Sequence, residues 1–172
     1  MPASSPAIAN EFIRLAAKNG QKLTQMQLQK LVYIAHGWNL AVNGEPLTAD
    51  SPCAWDYGPV YRDLRDALQG QGSKPVEREI PVGSFGGGVF LDGDEGKQPA
   101  RAKLSEEASE VVKRVFADYG KYHAFSLSAL THREGTPWSK VYKDGAGRFE
   151  AIPDELIREH FLDIAKTRSE RR

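Results

Sequence analysis

The chain has one cysteine, Cys53, so no disulfide can form within it and a disulfide-stapled secreted framework is excluded. Charge of one sign is also missing. The 23 Lys and Arg residues balance 23 Asp and Glu to a formal net charge of +0, which removes whole-molecule steering toward nucleic acid and leaves only a local basic patch as a route to it. No apolar run approaches the roughly 20 residues that span a bilayer, so no membrane partner is expected. The first residues, MPASSPAIANEF, carry neither the basic start nor the unbroken apolar stretch of a secretory leader, and the expectation is a cytoplasmic protein.

Chemistry-bearing constellations are equally sparse. His36, His123, His132 and His160 are scattered without metal-ligand spacing, so neither a metal nor another cofactor is expected. The Gly86-Gly87-Gly88 run lacks the lysine and hydroxyl that follow a phosphate-binding loop, and reads as a flexible turn. Ser126, Ser128 and Ser139 lie near His123 and His132, but no G-x-S-x-G elbow is present; helix capping and exposure account for them. Cys53, between Pro52 and Ala54 with no helix start beside it to lower its pKa, reads as a small hydrophobe. The expectation is a protein that binds and does not catalyse.

What is present is ordinary globular material. With 172 residues, 40% hydrophobic and 27% charged, a single domain over residues 1–172 can bury about 70% of the surface its unfolded chain exposes. The patterning is mainly helical. Ile8, Phe12, Leu15 and Ala16 follow a 3.6-residue period between Pro6 and Lys18, and Asn19-Gly20 stops it. Thr24 and Gln27 form a capping box opening a longer run through Leu28, Leu31, Val32, Ala35 and Trp38 to Asn43-Gly44, apolar on more than one stripe and hence central.

Ser105, Glu106 and Glu107 start another helix with Val111, Val112, Val115, Phe116 and Tyr119 on its apolar face. A shorter helix is expected from Phe125 to Arg133, with Thr131, His132, Arg133 and Glu134 as its solvated end, and Thr136-Pro137-Trp138 begins a further turn or two. Pro153, Asp154 and Glu155 open a final helix that docks through Leu156, Ile157, Phe161 and Ile164, and residues 166–172 form a basic, frayed tail. Between them, residues 73–101 are rich in Gly and Pro. This segment predicts a small β-hairpin excursion, with short strands around Pro75 to Val82 and Gly88 to Leu91.

The densest chemical signal is AWDYGPVY, Ala54 to Tyr61, with three aromatics, a carboxylate and Gly-Pro in eight positions. Pro59 suits a first helical position and Asp56 its cap, and an extended segment would put Trp55 and Tyr57 on one face. The rings then serve first as anchors of this loop to the helices, and second as a rigid contact surface for a partner.

Taken in order, LQKLVYIAHGW (Leu28 to Trp38), AWDYGPVY, LSALTHREGTPW (Leu127 to Trp138) and IPDELIREHF (Ile152 to Phe161) resemble the SocA-like antitoxins that carry the Panacea domain. The resemblance spans most of the chain. It implies a mostly helical, intracellular antitoxin that neutralises an adjacent-encoded protein toxin by direct contact, with a role as proteolytic adaptor delivering the toxin to the ClpXP protease. The family's motif residues fall here on Trp55, Gly58, Pro59 and Val60 and on Leu130, Thr131 and Trp138. The candidate partner-binding set is Trp55, Asp56, Tyr57, Gly58, Pro59, Val60, Tyr61, Thr131, His132 and Trp138. Residues 83–96 and the terminal helices rival that set as the contact surface. The alternative function is a DNA-binding autoregulator of its own operon, whose affinity would fall steeply with salt.

Overall fold

One helix, α2 (Gln25–Asn43), forms the axis on which the rest of the molecule is assembled. The computed structural model describes residues 1–83 and 97–171. Among them are seven α-helices and two small antiparallel β pairs, so the architecture is mainly α, as the periodicity predicts. The expected strand over Gly88 to Leu91 lies outside the described residues.

Local chemistry explains where α2 begins and ends. Thr24 Oγ1 accepts from the Gln27 amide at 3.3 Å while Gln27 Oε1 accepts from the Thr24 amide at 2.9 Å, the reciprocal capping box. Gly44 closes the helix in the left-handed region at φ 74°, where glycine carries no Cβ penalty. Leu28, Leu31, Val32 and Ala35 have no exposure at all, because neighbours pack on several sides of the helix: α1 (Ser5–Lys18), α4 (Glu106–Tyr119), α5 (Ala124–His132) and α7 (Asp154–Glu170). The closest approach is at Gly37, where an added Cβ would stand 2.1 Å from the Phe161 ring of α7. Phe161 in turn meets Trp38 edge-on with centroids 5.3 Å apart.

Buried polar groups tie the remaining segments to this core. His36 of α2 accepts the Leu47 and Thr48 amides at Nδ1, both at 3.2 Å, which leaves Nε2 as the donor to Asp154 Oδ1 at 2.9 Å. One ring thereby fixes both the loop after α2 and the start of α7. Asn10 of α1 does the same for the glycine-rich excursion. Its Nδ2 donates to the Ile80 and Ala100 carbonyls, each at 2.9 Å, and its Oδ1 accepts from the Ile80 amide at 2.7 Å. The two sides of the excursion also meet at a Pro81 to Pro99 bridge, and β4 (Pro75–Val76) pairs with β1 (Leu23–Thr24).

Three local expectations change. Pro59 does not start a helix: it lies in β3 (Gly58–Val60), which pairs with β2 (Cys53–Trp55) around a two-residue Asp56-Tyr57 turn. The following helix, α3 (Arg62–Ala67), begins after Tyr61 and has no side-chain cap, so Asp56 caps nothing. The hairpin prevails because its polar backbone groups find side-chain partners in distant elements, which a local capping argument does not see. The C-terminal residues are helical as far as Glu170, although exposed there.

Candidate partner-binding site

The β2–β3 hairpin is held by side chains from three helices, each taking a separate backbone group. On one side stands α2. Gln29 donates through Nε2 to the Tyr61 carbonyl at 3.1 Å and accepts the Tyr61 amide on Oε1 at 2.8 Å, mimicking a neighbouring strand. Lys30 Nζ donates to the Pro59 carbonyl at 2.9 Å. On the other side, α5 supplies Ser128, whose Oγ donates to the Tyr57 carbonyl at 2.8 Å, and His132, whose Nε2 lies 2.9 Å from the Asp56 carbonyl. Finally α6 (Pro137–Tyr142) supplies Trp138, whose Nε1 donates to the Trp55 carbonyl at 2.7 Å.

The carbonyls of residues 55, 57, 59 and 61 thus all accept from side chains of the helical frame, and that of residue 56 faces the His132 ring. A surface turn fixed at so many points loses little entropy when it is contacted by a partner.

Gly58 is the point of tightest approach. Its φ of 108° belongs to glycine, and an added Cβ would stand 2.6 Å from Thr131 Oγ1 and 3.1 Å from Lys30 Nζ. Thr131 is therefore a buried wall of the site, and the expectation of a solvated end over Thr131 to Glu134 holds only for the exposed Arg133 and Glu134. Thr136 donates from Oγ1 to the Thr131 carbonyl at 2.9 Å, fixing the α5–α6 corner, and caps α6 through the Ser139 amide at 3.3 Å. Trp138 stacks on Tyr142 with centroids 4.5 Å apart and leans on His132 at 4.2 Å.

Trp55 and Tyr57 line the same open groove but differ in exposure. The Trp55 ring is partly buried between the guanidinium of Arg65, 4.6 Å above its centroid, and the Phe149 ring at 4.9 Å, whereas Tyr57 at the turn is 67% exposed. Asp56, also exposed, accepts from the Tyr142 hydroxyl at 2.7 Å and from Arg148. The Arg148 hydrogen bond first, and the Tyr142 one second, hold its carboxyl below the usual range. Tyr61 is fully buried, its Oη 3.3 Å from Thr48 Oγ1, and burial raises its phenol well above the ordinary value. Val60 is partly buried beside it.

The ten residues singled out in the sequence therefore come together around one hairpin, some as its backbone and some as its clamps. Ser128, expected to serve capping or exposure, is instead buried against the hairpin; Gln29 and Lys30 carry no expectation from the sequence, and Lys30 is the more informative. Its side chain is 1% exposed, and burial pushes the ammonium down to about 7. A lysine directly before the apolar stretch Leu31 to Ala35 of the central helix is visible in the sequence, although its partner across the fold is not. The Ser128–His132 pair, with Oγ and Nδ1 3.3 Å apart, has the composition of a catalytic dyad. Its atoms are engaged elsewhere: the hydroxyl donates to Tyr57, and the two ring nitrogens face the Ser128 and Asp56 carbonyls. Among the described residues no group of His, Cys, Asp or Glu could hold a metal ion, and no helix is long and apolar enough to cross a membrane.

A family model described as the SocA-like antitoxin, Panacea domain, matches residues 28–139, the span running from Gln29 and Lys30 through the hairpin to Trp138. The chain belongs to this antitoxin family. Its similarity to the antitoxin SocA of Caulobacter vibrioides (strain NA1000 / CB15N) is 28% identity over 159 residues, covering 90% of this chain and 80% of that protein. No solved structure matches the chain. The family span contains all the hairpin clamps, whereas α1 and α7, which pack on the same central helix, lie outside it.

Proposed function

We propose that this chain neutralises a cognate protein toxin by binding it directly, acting as a stoichiometric antitoxin in the cytoplasm without catalysing a reaction. The observation that carries the reading is the hairpin: its carbonyls are clamped by α2, α5 and α6, and it presents Tyr57 outward beside Phe125, which is 75% exposed. Large rings on a rigid frame are the residues that anchor protein interfaces. Family membership implies the kind of partner, a cognate toxin.

The family resemblance extends the reading one step, to delivery of the bound toxin to the ClpXP protease. Co-expression with the product of the adjacent gene tests both parts. The expected outcome is a co-purifying complex and restored growth, with the toxin's half-life shortened when ClpXP is present. No complex and no rescue would sink the antitoxin reading, and an unchanged half-life would sink delivery. Salt-sensitive retardation of the upstream DNA in a gel shift would favour an autoregulator in its place.

A further inference from the structure

Between the N-termini of α2 and α5 runs an open groove of about 810 Å³, with the hairpin as one wall. Its floor and rim include Lys30, Trp55, Tyr57, Arg65, Lys121 and Phe125. Two features set it apart. Three of these side chains are cationic, and among the described residues lining the groove there is no carboxylate. Lys30 donates one hydrogen bond, to Pro59, leaving an ammonium that has three donors without a counter-ion in a nearly inaccessible position.

Arg65 is paired with Asp66 at 3.5 Å, and further positive charge comes from α5. α5 is nine residues long and no side chain caps its start at His123, so its first-turn amides and the positive end of its dipole add to the cations. Trp55 Nε1 is buried here without a hydrogen-bond partner. A buried, uncompensated cation is costly for a fold to keep, and a carboxylate supplied from outside would offset that cost.

We propose that this groove is the docking site for an acidic segment of the protein partner, in which a Glu or Asp side chain reaches toward Lys30 while flanking apolar residues pack on Tyr57 and Phe125. A peptide is favoured over nucleic acid by the layout. Phosphate backbones are met by rows of exposed Lys and Arg, whereas here the central cation is sunk beneath exposed aromatic rings, the arrangement of a protein interface. The proposal rests on the antitoxin reading for the identity of the partner, and on the groove alone for its chemistry.

The test has two arms. In the first, the ¹⁵N-labelled full chain is titrated with the capped pentapeptide acetyl-Gly-Phe-Glu-Leu-Gly-amide and with its Glu→Gln counterpart, following the Trp55 indole and the amides at the start of α5. The Glu peptide is expected to shift these signals and to bind at least tenfold more tightly than the Gln peptide. Lys30→Met is expected to abolish the difference, and Lys121→Glu, at an exposed position, to weaken binding about tenfold without touching the core. Equal binding of the two peptides, shifts mapping elsewhere, no binding, or a mixed-sequence DNA duplex shifting the same signals would each overturn the assignment.

In the second arm, wild type and the Lys121→Glu and Phe125→Ala variants are co-expressed with the adjacent gene's product. Loss of the complex in the variants alone supports the groove as the toxin site, and an undiminished complex overturns it. Peptide binding by a wild type that forms no complex would leave the groove's chemistry standing and remove the antitoxin reading.

Discussion

Trp138 Nε1 donates to the carbonyl oxygen of Trp55 at 2.7 Å, joining two tryptophans 83 positions apart and fixing the start of the hairpin turn to α6. This bond closes the side of the clamp opposite Lys30, so the hairpin is gripped between α2 and the α5–α6 corner.

Trp138→Phe keeps most of the ring stacking on Tyr142 but leaves the Trp55 carbonyl without its donor. We expect a loss of about 1 kcal/mol, the net worth of a part-buried hydrogen bond, read as a lower urea midpoint with unchanged slope. Trp138→Ala also removes the packed ring and is expected to lose about 3–5 kcal/mol. An unchanged midpoint for Trp138→Phe would show that the bond is not maintained in solution.

Gly58→Ala places a methyl group 2.6 Å from Thr131 Oγ1 at a φ of 108°. The backbone alone is expected to cost about 1–3 kcal/mol, and the clash adds to it. Gly72 has a φ of 59° with nothing within 4 Å of an added Cβ, so Gly72→Ala is the control for backbone strain without the clash. A Gly58→Ala variant as stable as the Gly72→Ala variant would contradict the close approach.

Lys30 gives the fold a distinctive pH response. Its folded pKa is depressed to about 7 from an unfolded value of 10.5, so between these values the unfolded chain binds more protons and stability rises with pH. Arg65, Lys121, His123 and Tyr57 line the groove with it, and no described carboxylate there offsets the effect. Relative to Lys30→Met, wild type is expected to gain stability from pH 7 toward pH 10 with a slope of up to about 1.4 kcal/mol per pH unit. Below pH 7 the difference should be flat. Parallel stability curves for the two proteins across the alkaline range would show that Lys30 is not buried as described.

Asp56 should respond in the opposite direction. Its carboxyl is held low by Arg148 and then Tyr142, so what it contributes is present above the usual carboxylate range and disappears as pH falls through its folded value. Wild type is expected to be slightly more stable than Asp56→Asn at neutral pH, with the gap closing in acid and shrinking in high salt, because the pair is exposed. A gap that persists in acid would assign the effect to packing.

Much of the helical frame could be read from short-range chemistry. The Thr24–Gln27 box, Gly44, Ser105 and Thr136-Pro137 each satisfy or terminate backbone groups within a few residues, and the corresponding helices begin or end where those signals stand. The reading of AWDYGPVY as the start of a helix failed for the complementary reason. Its Pro59 and Asp56 are locally compatible with a helix entrance, but Tyr61, whose amide Gln29 takes, is followed directly by α3, and Arg62 is the first helical residue.

A mainly helical chain, a central helix and the motifs of the antitoxin family are all legible in the residue pattern, because periodicity and capping act over a few residues. That three of those motifs meet on one hairpin, with Lys30 buried beneath it, follows from the packing of the helices. Hydrogen bonds from residues 29, 30, 128, 132 and 138 to residues 55–61 depend on how α2, α5 and α6 pack. The desolvation of a charge likewise depends on everything around it in space, and no local pattern encodes that.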